Sequence, residues 1–367
     1  MRSNSRSDHG AVSVEYVGVG VALIVLVTAL ALSGVGGSIS KSFGYVFCTA
    51  ASVVDGRSCE KPISEATDTR SPKEIAESGD YVALGDSYSS GEGADEYVDN
   101  TNSDDATKKA INDLPIDLWP GEPHNNICRR SANAYSATVY QQGDFEGDYI
   151  FGACSGGIAS DYYENNHSGN DDEGPQRDLI TEDTSLITIS MGGNDFGFAN
   201  TVAACVQRGL GLGGACGTEE DSVTTKAAID DKLDELVQLY QDLENDAPDD
   251  ARIVIVGYPR LFPEDPTGPT WGIAERDQPW INDMGTYANR ALQRAIAESG
   301  TDVEFVDVTE ALTGHESGTA EPWLHDLEFG VDGGNWHKPV SNNSYHPTAE
   351  GQNAIAAIVQ QQIEEGP

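Results

Sequence analysis

Short apolar segments of strand length alternate with amphipathic helical segments in this chain, and that alternation limits its fold more than any other feature. Five segments rich in β-branched or aromatic residues are predicted to be buried strands: residues 81–84, 149–152, 186–190, 253–257 and 303–308. Helical spacing of apolar residues is clearest at 226–243, 280–297 and 349–363. The alternation predicts an α/β fold whose parallel sheet is covered on both faces. Ligands should then bind just beyond the carboxyl ends of the strands.

The charge balance excludes one broad class of partner. The 367 residues include 61 Asp and Glu against 21 Lys and Arg, which gives a formal net charge of −40. Such a chain repels phosphate backbones, so we expect no nucleic-acid partner.

An uncharged segment near the N-terminus predicts a membrane anchor. Residues 16–40 carry no charge, and residues 16–35 form an apolar run of 20 residues, long enough to span the hydrocarbon of a bilayer. Arg2 and Arg6 precede the run, which favours a cytoplasmic leader at 1–15, a transmembrane helix at 16–40 and an extracytoplasmic domain after it. A cleaved secretory signal peptide is the alternative, and release after processing stays open.

The flank of this segment resembles a known leader. Residues 10–16 read GAVSVEY, which is similar to the class III leader of type IV pilins and of tight-adherence pilin-like proteins. The resemblance implies cleavage after Gly10, with Glu15 as the fifth mature residue, and a pilus-like assembly through the leader helix. The alternative is that Glu15 merely flanks a signal anchor.

Six cysteines follow the predicted anchor, an even number that suits disulfides outside the cytoplasm. Their order suggests the local pairs Cys48–Cys59, Cys128–Cys154 and Cys205–Cys216, although other connectivities remain open. Zinc is disfavoured, because the sequence has no Cys-x-x-Cys pair. Residues 41–78 are predicted to be an extracellular linker that carries Cys48 and Cys59, and residues 79–367 the globular domain.

Chemically useful residues follow the predicted strands. Gly85-Asp86-Ser87 comes directly after the first strand, where a sharp turn into a helix would expose the serine hydroxyl, although taken alone it is more often a turn with an N-cap. Gly156 follows the second strand, and Asn194 follows the third within MGGND. His346 precedes the last helix and could take a proton from Ser87.

Together these motifs resemble the SGNH or GDSL hydrolases, in particular secreted actinobacterial esterases and lipases. The supporting segments are YVALGDSYSSGEG (81–93), ACSGG (153–157), ITISMGGNDF (187–196), VGYPRLF (256–262) and YHPTAEG (345–351). The resemblance covers about residues 79–365 and implies a three-layer, flavodoxin-like α/β/α domain. Cys128–Cys154 also looks like a disulfide of that family.

The resemblance implies a role for each matched residue. Ser87 would be the nucleophile and His346 the general base, while the N–H groups of Ser87 and Gly156 and the amide of Asn194 would form the oxyanion hole. One position departs from the family, since Asn343 stands where an Asp commonly precedes the histidine by three residues. A Ser-His dyad whose histidine is oriented by the Asn343 carbonyl is therefore expected in place of a full triad.

The sequence thus predicts a membrane-anchored extracytoplasmic esterase or lipase that acts on small-molecule or lipid esters and needs no cofactor or metal. The polar stretches 92–126 and 161–182 are expected to form a rim or lid, and Asp86 and Asp195 to brace the turns. An α/β-hydrolase is excluded because no serine lies in Gly-x-Ser-x-Gly. A catalytically weak, pilus-associated binding or structural protein is the remaining alternative.

The leader resemblance makes one testable prediction. Mass spectrometry of the mature protein from its native cells should find a chain that begins at Ala11, because cleavage after Gly10 exposes the α-amino group that would pair with Glu15. A chain that begins at Met1, or beyond Val35, would contradict the pilin-like interpretation.

Overall fold

Five parallel strands form the central sheet in the computed structural model. They are β1 (Asp80–Gly85), β2 (Tyr149–Phe151), β3 (Thr184–Ser190), β4 (Arg252–Val256) and β5 (Glu304–Val306), in the spatial order β2-β1-β3-β4-β5. Each neighbouring pair is parallel. The chain reverses its direction of travel across the sheet at β1 and β3, which is where doubly wound sheets bind ligands.

The structure describes residues 69–98, 100–102, 126–168, 170, 172–209, 214–270, 272–328, 341 and 343–367. The predicted leader (1–15), the predicted transmembrane helix (16–40) and the proposed Cys48–Cys59 pair lie outside these residues. Within them, no helix combines the length and apolar character needed to cross a bilayer.

Helices cover the sheet and connect its strands. Their bounds are α1 (Pro72–Ala76), α2 (Ser87–Ser90), α3 (Tyr135–Gln142), α4 (Phe198–Gln207), α5 (Glu219–Asp230), α6 (Leu233–Asp246), α7 (Gln278–Ser299) and α8 (Ala349–Glu365). Short 3₁₀ turns lie at Ala159–Tyr162, Gln176–Leu179 and Glu275–Asp277.

The core is divided by the sheet into two apolar layers. Because successive strand residues point to opposite faces, Val82 and Leu84 of β1 pack with α6 and α7, whereas Tyr81 and Ala83 pack with α1, α3 and α8. β1, β3 and β4 are therefore buried almost throughout, as a sheet covered on both faces requires. The predicted α/β fold with a parallel sheet is confirmed.

Two local predictions differ from the structure. β2 was expected to be buried, but it is the edge strand and all three of its residues are half-buried. The helical pattern at 226–243 is divided between α5 and α6, which are separated by Asp231 and Lys232. The apolar period that suggested one helix belongs to α6 alone, whereas α5 is mostly polar and buries only Thr225 and Ile229.

The globular part begins earlier than the predicted boundary at residue 79. Arg70–Pro367 form one compact unit, and α1 lies within the segment expected to be linker. Ser71 caps α1 through a reciprocal pair of bonds with Glu74. The Arg252 guanidinium donates to the Pro72 carbonyl at 3.0 Å, so α1 is fastened to the start of β4.

Candidate active site

The first turn of the site is formed where β1 ends. Gly85 has φ +120°, and a Cβ there would collide with the backbone of Ser190 at the end of β3, so the close approach requires glycine. Asp86 then caps α2 by accepting the N–H of Tyr88 at 3.0 Å. Ser87 is the first residue of α2, and its backbone N–H has no partner within that helix.

His346 meets this turn from the opposite end of the sequence. Its Nε2 lies 2.8 Å from Oγ of Ser87, although the two residues are 259 positions apart. The loop is fixed by backbone bonds, since the His346 N–H donates to the Asn343 carbonyl at 2.9 Å and the His325 N–H donates to the His346 carbonyl at 3.0 Å. The Asn343 carbonyl thus holds the main chain of His346, and its Oδ1 accepts the hydroxyl of Tyr97 at 3.4 Å.

Gly156 and Asn194 complete the group that the sequence singled out. Gly156 has φ +77°, and its loop is held because the Cys154 N–H donates to the Gly85 carbonyl at 2.9 Å. Nδ2 of Asn194 donates to the Gly157 carbonyl at 2.9 Å, which leaves the second hydrogen of this amide for another acceptor. Ser87, Gly156, Asn194 and His346 all line one cavity.

The Cys128–Cys154 and Cys205–Cys216 disulfides are both present among the described residues. Cys128–Cys154 braces the loop that carries Gly156. The described residues of the stretch 161–182, which was expected to form a rim or lid, lie behind this disulfide and do not line the cavity. Its Asn170 amide contacts both sulfurs, and its Glu173 pairs with Arg130, so the segment supports the loop from behind.

Tyr258 links two of the turns and was missed as a site residue. Its hydroxyl donates to Oδ2 of Asp86 at 2.6 Å and accepts the Gly193 N–H at 2.9 Å. The available signal was its place directly after the fourth predicted strand, within the segment VGYPRLF. Burial raises the pKa of Asp86 to about 7 despite the bonds from Tyr258 and Tyr88.

Asp195 braces its turn in a similar way, because its carboxylate accepts the Ala159 N–H at 3.1 Å, and burial raises its pKa. His167, by contrast, lies outside the cavity and pairs with Asp161 at 2.8 Å.

Glu92 and Arg129 were also missed. The Glu92 side chain is 3% exposed and pairs with the buried Arg129, while its Oε2 accepts the Ser155 hydroxyl at 2.5 Å and lies 3.8 Å from Nε2 of His346. In the sequence both residues look like ordinary charges in polar stretches, and only the fold brings them to the site.

The cavity beside these groups has a volume of about 700 Å³ and is mostly apolar. Ser87 and His346 lie at its polar end. The apolar wall is formed mainly by α4 and the first half of α7, through Phe198, Val202, Val206, Ile281 and Gly285. A polar reactive end joined to an apolar chamber suits a substrate with a polar head and a hydrocarbon chain.

Comparison with known proteins places the chain in a family. The model of the GDSL-like Lipase/Acylhydrolase family matches residues 83–354. Lipase 1 of Streptomyces coelicolor is 33% identical over 277 residues, which cover 74% of this chain and 82% of that protein. A lipase of Streptomyces rimosus is 30% identical over 274 residues, with the same two coverages of 74% and 82%.

Two crystal structures give the same result. Phospholipase A1 from Streptomyces albidoflavus NA297 is 26% identical, with a TM-score of 0.56, and the match covers 77% of this chain and 99% of that one. The extracellular lipase of Streptomyces rimosus is 27% identical, with a TM-score of 0.54 and the same coverage of 77% and 99%. The chain belongs to the GDSL-like lipase/acylhydrolase family. It is a hydrolase of the lipase or esterase type.

The raised pKa of Asp86 predicts a pH-dependent stability. The pKa of Asp86 is about 7 in the folded state, whereas the ordinary pKa of an aspartate is 3.8. As the pH rises between these two values, ionisation of Asp86 therefore lowers the free energy of unfolding by roughly 4 kcal/mol in all. Asp86→Asn keeps an oxygen that can accept the Tyr88 N–H, places an amide nitrogen opposite the Tyr258 hydroxyl, and cannot ionise. In denaturant unfolding, the free energy of unfolding of this variant relative to that of the wild type should rise by a few kcal/mol between about pH 4 and pH 8.

Asp221→Asn is the matched control. The hydrogen bond from Arg208 holds the pKa of Asp221 at about 2. The difference in free energy of unfolding between Asp221→Asn and the wild type should therefore stay nearly constant between about pH 5 and pH 8. If the difference in free energy of unfolding between Asp86→Asn and the wild type is equally independent of pH, the raised pKa of Asp86 is contradicted.

Proposed function

We propose that the protein hydrolyses carboxylic esters of lipids through an acyl-enzyme on Ser87. The observation that carries this proposal is the 2.8 Å hydrogen bond between Oγ of Ser87 and Nε2 of His346, beside the N–H donors of Gly156 and Asn194. A hydroxyl bonded to an imidazole and flanked by convergent donors is the arrangement that acyl transfer requires.

In the proposed reaction, Oγ of Ser87 attacks the ester carbonyl while its proton moves to Nε2 of His346. The negative charge that develops on the carbonyl oxygen is held by the N–H groups of Ser87 and Gly156 and by Nδ2 of Asn194. His346 then gives the proton to the leaving alcohol. Water, activated by the same nitrogen, attacks the acyl-enzyme and releases the acid.

Ser87 and His346 act as a dyad in this proposal. Asn343 cannot supply the negative charge that an aspartate would place beside the imidazolium. Its contribution is to the position of His346, because its carbonyl accepts the backbone N–H of that residue at 2.9 Å.

The apolar chamber is proposed to bind the acyl chain. None of the α4 and α7 residues that line it is charged, and Phe198, Val202 and Ile281 make these walls apolar. Its volume of about 700 Å³ suits a hydrocarbon chain rather than an acetyl group alone. The names of the relatives, two lipases and a phospholipase A1, agree with lipid esters as the substrate class.

We also propose that the domain acts outside the cytoplasm, anchored through residues 16–40. The two disulfides suit an oxidising compartment, and one relative is described as an extracellular lipase. The apolar run and its preceding arginines carry the anchor part of the proposal, and GAVSVEY carries a pilin-like processing site.

Ser87→Ala should abolish covalent labelling by a fluorophosphonate and lower ester turnover by about 10³-fold or more, because the nucleophile is lost. Gel fluorescence and intact mass measure the labelling. Ser168→Ala is the matched control, since Ser168 also contacts a histidine ring nitrogen, at 3.3 Å in His167, but lies outside the cavity. Labelling that persists in Ser87→Ala would remove Ser87 from the proposed role.

Gly285→Leu should shorten the acyl chamber. A Cβ at Gly285 meets nothing closer than Phe198 at 3.8 Å, and because Gly285 lines the cavity, a larger side chain would extend into substrate space. We expect kcat/KM for a dodecanoyl ester to fall by about tenfold or more, with hydrolysis of a butanoyl ester largely kept. Gly285→Ala controls for the helix propensity of the new residue. Equal losses for both esters would contradict the chamber assignment.

A further inference from the structure

The segment that follows α2 places a buried carboxylate against the proposed base. Glu92 lies between Gly91 and Gly93, and its Oε2 is 3.8 Å from Nε2 of His346. The approach is close because Gly93 has φ +90° and no side chain, and a Cβ there would lie 3.0 Å from Cβ of His346. The turn and the histidine loop are therefore in direct contact.

The two oxygens of Glu92 face different partners. Oε1 pairs with the guanidinium of Arg129, whose side chain is 9% exposed. Oε2 accepts the hydroxyl of Ser155 at 2.5 Å and faces His346. The buried ion pair is thus oriented with its negative end toward the imidazole. Burial strengthens that field, because little water is present to screen it.

A charge of this sign is missing at the position where the family commonly has it. Asn343 replaces the aspartate, yet proton transfer from Ser87 still creates an imidazolium on His346. We propose that Glu92 supplies the negative charge that stabilises this imidazolium, acting from the Nε2 side as a positioning residue. The inference rests on the proposed roles of Ser87 and His346.

Glu92 takes no proton in this scheme. The proton leaves Oγ of Ser87, resides on Nε2 of His346 and passes to the leaving alcohol, and no step transfers it to the carboxylate. Its two oxygens are already engaged by Arg129 and Ser155.

Other titratable groups lie near His346: Asp86, Tyr88, His325 and Tyr345. Burial raises the pKa of Tyr88, whose ring lies 5.2 Å from that of His346, so it stays neutral in an assay near neutrality. Burial likewise raises the pKa of Tyr345. His325 is bonded through its ring to Glu328 and to the Gly93 carbonyl. Asp86 titrates near pH 7, so its contribution must be separated from that of His346.

The test is the pH profile of kcat/KM for a butanoyl ester, measured in an Asp86→Asn background to remove that titration. Glu92→Gln should lower the plateau by about tenfold or more and move the acid limb to lower pH by about one unit, because the imidazolium loses its neighbouring charge. Arg129→Gln removes the positive charge that partly balances the Glu92 carboxylate, so the acid limb should move to higher pH. Glu92→Asp, which keeps the charge, should restore most of the acid-limb position.

The opposite shifts separate electrostatics from structural damage. A Glu92→Gln variant that loses rate without an acid-limb shift, or Glu92→Gln and Arg129→Gln shifts in the same direction, would overturn the inference. If Glu92→Gln shows no cooperative thermal transition, Arg129→Gln decides, and an acid limb that stays or moves down overturns the proposal. His346→Ala must abolish turnover, since retained activity would contradict the proposed function instead.

Discussion

The parallel pairing of β1 with β3 is the constraint on which the rest of the site depends. Its register joins Gly85 to Ser190, so the two strands end side by side and their following turns lie next to each other. The Asp86 N–H donates to the Ser190 carbonyl at 2.8 Å just beyond the last pair. Ser87 and Asn194 are neighbours because the strand ends are neighbours, and only glycine at 85 allows that approach.

Buried polar groups then fix the turns to one another. Tyr258 ties Asp86 to the Gly193 N–H, and Cys128–Cys154 with Arg130 and Glu173 holds the Gly156 loop. These contacts involve few exposed atoms, so the donors are held in place before a substrate arrives, as stabilisation of a developing oxyanion requires. The raised pKa of Asp86 is a cost of this arrangement, since burial of its carboxyl outweighs the hydrogen bond from Tyr258.

The sequence predicted the features that depend on local residue patterns and short motifs. Runs of buried residues located the strands within one or two residues, and motifs after those strands singled out Ser87, Gly156 and Asn194. Glu92 and Arg129 escaped notice because a charge in a polar stretch normally faces solvent, and only tertiary contact shows that this pair is buried. The length of the stretch 161–182 alone predicts that it forms the rim of the cavity. In the structure, its asparagines and Glu173 instead pack behind the Cys128–Cys154 disulfide.

The central claim is that Ser87, His346 and the Gly156 and Asn194 donors act on one reacting carbonyl. A crystal structure of the protein after reaction with an alkyl phosphonate tests it directly. We predict phosphorus bonded to Oγ of Ser87, the alkyl chain between α4 and α7, and the phosphoryl oxygen within hydrogen-bonding distance of the Gly156 N–H and Nδ2 of Asn194. An adduct on another residue, or a phosphoryl oxygen turned away from both donors, would contradict the account.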